Sequence, residues 1–129
     1  MTYKTMAVIT AIVGFVLGVG YLLAGALVVG RWQIEPTESV LLLGRRMGIL
    51  YLGLALMFFL ARSAPVSAAR TALSAGAAVV LTLLPLVGVY ELAVGHAGPG
   101  ILVSIVGESL LAIGFIRILY VERRDAVKG

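Results

Sequence analysis

Two adjacent arginines, Arg45 and Arg46, lie inside the apolar run VLLLGRRMGILYLGLALMFFLA, and one carboxylate, Glu108, lies inside another, SIVGESLLAIG. An ionisable group in such a run needs a counter-charge, a wet cavity or a stem long enough to reach water. A guanidinium facing a carboxylate can hold a structural ion pair, bind an anionic ligand, or favour proton exchange on the carboxylate. Tyr21, Tyr90, Glu91 and Ser104 are further polar groups within or beside apolar runs, able to add hydrogen bonds to such a site. Composition closes off other chemistry. There is no Cys, hence no disulfide, thiolate nucleophile, Cys-ligated zinc or Fe–S cluster. A single histidine, His96, leaves no His-rich metal site and no His pair for haem. No Gly-rich phosphate loop, Ser-His-Asp set or metal-ligand spacing occurs, and no cofactor is implied.

The elements that must position these groups are long and apolar. The 129 residues are 61% hydrophobic and 12% charged, about half the usual charged fraction of ~25%. With a mean hydropathy of +1.12, so apolar a chain cannot cover a water-facing surface, and its solvent is lipid. Four segments reach the ~20 residues a membrane helix requires: about 6–29, 37–61, 71–94 and 99–121. The expected fold is an all-α integral membrane protein, one domain over 1–129, built as a four-helix transmembrane bundle. The first run is too long for a signal-peptide core and lacks a clear cleavage site, so it is expected to stay as a span. Pro36, Pro65 and Pro99 suit first-turn positions, and Pro85 predicts a kink in the third helix, with Thr82 helping to satisfy the freed carbonyl.

Charge sets the orientation. Lys4, Arg62, Arg70, Arg123, Arg124 and Lys128 flank one side, whereas Arg31 and His96 lie on the other with Glu35 and Glu38. The positive-inside rule then places both termini in the cytoplasm. Trp32 and Tyr120 fall at opposite interfaces, and Arg117, near the cytoplasmic end, snorkels. The formal charge of +4 does not argue for nucleic acid, because the cations sit at helix ends and inside apolar runs, not on one basic face.

Depth suggests how the opening residues meet. Arg45 lies about 12 Å along the second run from its outer end, and Glu108 about 13 Å along the fourth. Tyr21 has a similar depth, with Tyr90 and Glu91 nearer the surface. The expectation is an ion pair between Glu108 and one arginine. Arg45 comes first, because Gly48 one turn on leaves room for approach. The alternative is two snorkelling arginines on a shallow helix. Gly14, Gly18 and Gly25 on the first helix, and Gly44 and Gly48 on the second, form small-residue stripes suited to close packing or to a homodimer. Ser104, Glu108 and Ala112 form an inward face on the fourth. The segments YLLAG and YELAVG, with Gly44–Arg45 matching Gly107–Glu108, hint at two repeated hairpins.

Four spans, Gly-rich helices and an arginine early in the second span followed by GILYLGLALMFFLAR resemble the small four-helix bacterial membrane proteins of the DoxX-like type. The resemblance covers most of the chain. It implies the bacterial inner membrane and hints at redox or quinone-associated membrane complexes, but assigns no catalytic residue. The leading functional expectation is a non-enzymatic protein with a polar Arg/Glu/Tyr pocket in the outer half of the bundle. That pocket would bind a lipophilic or anionic ligand, such as a lipid or quinone, or the protein would serve as an accessory subunit to a membrane partner. A second reading is a small proton- or cation-coupled transporter using Glu108 against Arg45 or Arg46. A third is a membrane enzyme with Glu91 or Glu108 as acid or base, for which no nucleophile or metal set is at hand.

Overall fold

The computed structural model describes residues 2–128, and among them there are four helices and no strand. They are α1 (Tyr3–Gly30), α2 (Glu38–Ala61), α3 (Ala68–Ala93) and α4 (Ile101–Lys128). Each is long and apolar enough to cross a membrane. Even α2, shortest at 24 residues, extends about 36 Å, more than the ~30 Å hydrocarbon core. The molecule is a four-helix, multi-pass membrane bundle. Among the described residues, large apolar side chains left exposed along the helices, Leu23, Leu60 and Val103 among them, form its lipid-facing surface.

Three helix starts are fixed by hydroxyl caps. Thr2, Thr37 and Ser67 each hold an extended backbone and accept a hydrogen bond from the N–H three residues on. Pro36 and Pro65 therefore lie just before the caps and not in the first turns as expected. The cap needs a side-chain acceptor, which Thr and Ser supply and Pro lacks. Pro99 likewise precedes α4, whose first residue is Ile101. Pro85 does not break α3, which keeps helical backbone throughout. The Thr82 hydroxyl donates to Ala78 O at 2.6 Å, and so it does not serve the Leu81 carbonyl that Pro85 leaves without an N–H. A break in helical backbone falls in α1, at Ala24 (φ −137°, ψ 37°), between Gly20 and Gly25.

The helices pair as two antiparallel hairpins, α1 with α2 and α3 with α4, joined mainly through α1 and α4. The first hairpin closes on its glycines, as their spacing predicts. A methyl group on Gly48 would sit 2.9 Å from Gly18 O, and one on Gly18 would sit 2.9 Å from Gly48 O, so the backbones themselves are in contact. These stripes are used up within the chain, which removes the reason they gave for a homodimer. The hairpins meet near the chain termini, where Met6, Ala7 and Ala11 of α1 bury against Phe58, Ala78, Phe115 and Ile118. Phe58 and Phe115 pack ring to ring at 5.4 Å. At the distal end the two turns interlock, with Gly98 N–H donating to Trp32 O at 2.6 Å.

Candidate functional site: a hollow at the break in α1

Gly44 presents no side chain to α1, and the Tyr21 ring fills that space, 3.2 Å from where a Gly44 methyl would be. Tyr21 is thereby buried on the α1–α2 face and stacks on Tyr51 of α2, with centroids 6.0 Å apart and planes within 5°. Glu108 of α4, half-buried, lies within electrostatic reach of both tyrosines. Ser104, one turn before it, is also partly buried, and Ala112, one turn after, is fully buried, so the inward face expected of α4 is present. Tyr21, Tyr51 and Glu108 make one polar level in the distal half. Beneath it lies the apolar layer of Met6, Phe58 and Phe115.

The expected ion pair is absent. Among the described residues the ion pairs are Arg70–Glu122, Glu91–His96 and Arg124–Asp125. Arg45 and Arg46 are both exposed, and Glu108 is half-buried with no arginine against it. Matching depth failed here because it counts distance along a helix and ignores rotation around it. Gly44 and Gly48 define the face of α2 that contacts α1, and each residue turns ~100° from its neighbour. Arg45 therefore leaves that face, and the room beside Gly48 is taken by Gly18, Tyr21 and Leu22. The arginines lie on a helix about 6 Å longer than the core, so their depth falls within reach of a snorkelling stem.

Arg45 nevertheless has a setting of its own. A hollow of about 410 Å³ opens beside α1, walled by Leu22, Leu23, Gly25, Leu27 and Leu41, with Tyr21 and Arg45 as its side-chain polar groups. It lies at the Ala24 break. Its volume is within the ~300–1,000 Å³ of small-ligand sites. Its lining suits an apolar chain ending in a group that a guanidinium can bind.

Two other candidate residues stand apart. Tyr90 is exposed on α3. Glu91 binds His96 across the distal turn, carboxylate to Nδ1 at 2.8 Å, with the His96 side chain exposed. The hairpins are not equivalent in detail: Tyr21 is buried where Tyr90 is exposed, and Gly44 is packed where Gly107 is open. Sequence reading passed over Tyr51, although it follows Gly48 by three residues on the same helical face. It also passed over a polar group at the terminal end. There Arg70 donates to Glu122 and to Ala64 O, and its guanidinium sits 4.2 Å above the Tyr3 ring. Opposite charges at one end of α3 and α4 were the available signal; Arg70 was read only as topology, and Glu122 was passed over. Among the described residues no group of His, Asp and Glu is arranged to hold a metal. No known protein family, characterised protein or solved structure matches this chain.

Proposed function

We propose that this is a non-enzymatic membrane protein that holds an amphiphile, a long apolar chain with an anionic or strongly polar head, in the hollow beside α1. One observation carries the reading: the helix breaks where the hollow lies. Irregular backbone at membrane depth is tolerated where it is buried in protein or lines a cavity, because lipid offers its polar groups no partner. The ligand's chain lies along Leu22, Leu23, Leu27 and Leu41, and Arg45 binds its head. A lipid or a lipid-like quinone has this chemistry, as does the tail of a membrane partner. The DoxX-like plan fits the reading without adding a residue to it.

The membrane is a bacterial inner membrane, by that resemblance, with both termini cytoplasmic by the Lys/Arg excess at the terminal end. Cysteines introduced at Ser63 and Glu35, one in each of two opposite exposed turns, should label from opposite sides of intact cells. Labelling of both from outside would reverse the orientation.

Native mass spectrometry of the purified protein tests the ligand. At least one amphiphile should remain bound per chain, and Arg45→Gln should lower the number retained. A chain that emerges bare under conditions preserving lipid contacts contradicts the proposal.

A second reading, proton- or cation-coupled transport, draws on Glu108, which sits at the tyrosine level above the apolar Met6–Phe58–Phe115 layer. In it, Glu108 alone carries the proton, and the aromatic layer must open. Its signature is substrate-driven proton flux in liposomes, abolished by Glu108→Gln.

A further inference from the structure

A second hollow, of about 370 Å³, opens at the opposite end of the bundle, walled by Thr2, Tyr3, Lys4, Arg62, Ser63 and Arg70. Three cations line it; one oxygen of Glu122 is engaged by Arg70, and the other is buried without a partner. Charge there is unbalanced toward positive. Both arginines are held before any ligand arrives. Arg62 donates to Phe59 O at 2.5 Å and lies 4.0 Å over the Phe59 ring. Arg70 is fixed by Ala64 O, Glu122 and the Tyr3 ring. Preset side chains lose little freedom on binding.

The second observation is a set of unused donors. Tyr3 is only 4% exposed, yet its hydroxyl has no hydrogen-bond partner, and neither has Arg70 Nε. Buried donors are almost always satisfied; the unpaired Glu122 Oε2 can serve only one of these two, which leaves a donor beside the cationic hollow for a further acceptor. Such a ligand must be small and anionic and must accept several hydrogen bonds. Phosphate oxygens meet all three requirements, and guanidinium groups match them well.

We propose that this hollow binds a phosphate group, with Lys4 and Arg62 supplying charge and Arg70 and Tyr3 supplying the fixed donors. The phosphate comes either from an anionic phospholipid of the adjoining leaflet or from a soluble phosphate compound. The site is separate from the hollow at Ala24 and stands or falls independently of it.

The experiment uses the full chain in mild detergent, with short-chain phosphatidylglycerol, short-chain phosphatidylcholine and inorganic phosphate as probes. Retention is read by native mass spectrometry and affinity by thermophoresis. The wild type should prefer phosphatidylglycerol to phosphatidylcholine. Lys4→Gln with Arg62→Gln should weaken binding at least about tenfold. Arg123→Gln, which removes an exposed cation outside the hollow, should leave affinity within about twofold. Circular dichroism of each variant checks that the helices persist. Competition by inorganic phosphate at millimolar concentration identifies a soluble ligand, and phosphatidylglycerol binding that phosphate does not displace identifies the lipid. Equal weakening by Arg123→Gln, or neither a preference for the anionic lipid nor binding of inorganic phosphate, overturns the proposal.

Discussion

Gly48→Ala adds one methyl group to α2 and should loosen the first hairpin. That methyl would stand 2.9 Å from Gly18 O, 3.0 Å from Leu22 Cγ and 3.1 Å from Tyr21 Cβ. The leucine can rotate away, but a backbone oxygen cannot, so the two helices must separate. Overpacking of this kind costs ~1–3 kcal/mol. Alanine also favours the helix over glycine by up to ~1 kcal/mol, which leaves a net loss of roughly 0–2 kcal/mol. Gly53→Ala on the same helix is the control, since nothing lies within 4 Å of its methyl position. Only the propensity gain remains there, so Gly53→Ala should be neutral or stabilising. Unfolding by SDS in mixed micelles, followed by circular dichroism, measures both. Emission from Trp32, the single tryptophan, reports the distal turn in the same titration. Equal effects of the two substitutions would refute glycine contact as the basis of the α1–α2 pairing, and with it the account of how Tyr21 is placed.

Arg70 and Glu122 should behave as a coupled pair. With side chains 16% and 13% exposed, the pair falls between the ~3–5 kcal/mol of a fully desolvated pair and the ~0–1 kcal/mol of a surface one. Arg70→Met should cost roughly 2 kcal/mol, part of it recovered on adding Glu122→Gln; strictly additive melts would deny the coupling. Glu108 should behave in the opposite way. With no cation against it, Glu108→Gln removes a charge that is costly to bury, so stability should hold or rise. Its effect should also be additive with Arg45→Gln and with Arg46→Gln, and a clear coupling to either arginine would restore the ion pair that the structure lacks.

The four helices could be read from sequence because lipid imposes a minimum apolar length, and each run meets it. The glycine contact was legible too, since Gly14, Gly18, Gly44 and Gly48 recur at intervals that return to one face. What spacing along a helix cannot supply is the direction of each side chain relative to the next helix. That missing angle turned Arg45 toward the hollow and lipid and left Glu108 with no arginine against it. The α1 break was hidden for a different reason. Gly20 and Gly25 permit a bend, but whether one forms at Ala24 depends on what α2 packs against it. The Arg70–Tyr3–Glu122 group brings together residues from three helices, with Arg70 and Glu122 52 positions apart. No local pattern marks such a meeting, and the charge of Arg70 alone was accounted for by topology.

Photolabelling tests the central claim, occupation of the hollow beside Ala24, most directly. A long-chain carboxylate carrying a diazirine near the end of its chain is added to the full-length protein in nanodiscs, irradiated, and its adducts mapped by peptide sequencing. The account predicts labels concentrated on Tyr21 to Leu27 and on Leu41, and a marked fall when Arg45→Gln removes the head-binding cation. Labels spread at similar yield over the lipid-facing Leu83 and Leu110, unchanged by Arg45→Gln, would mean that the hollow holds nothing beyond the bilayer itself and would contradict it.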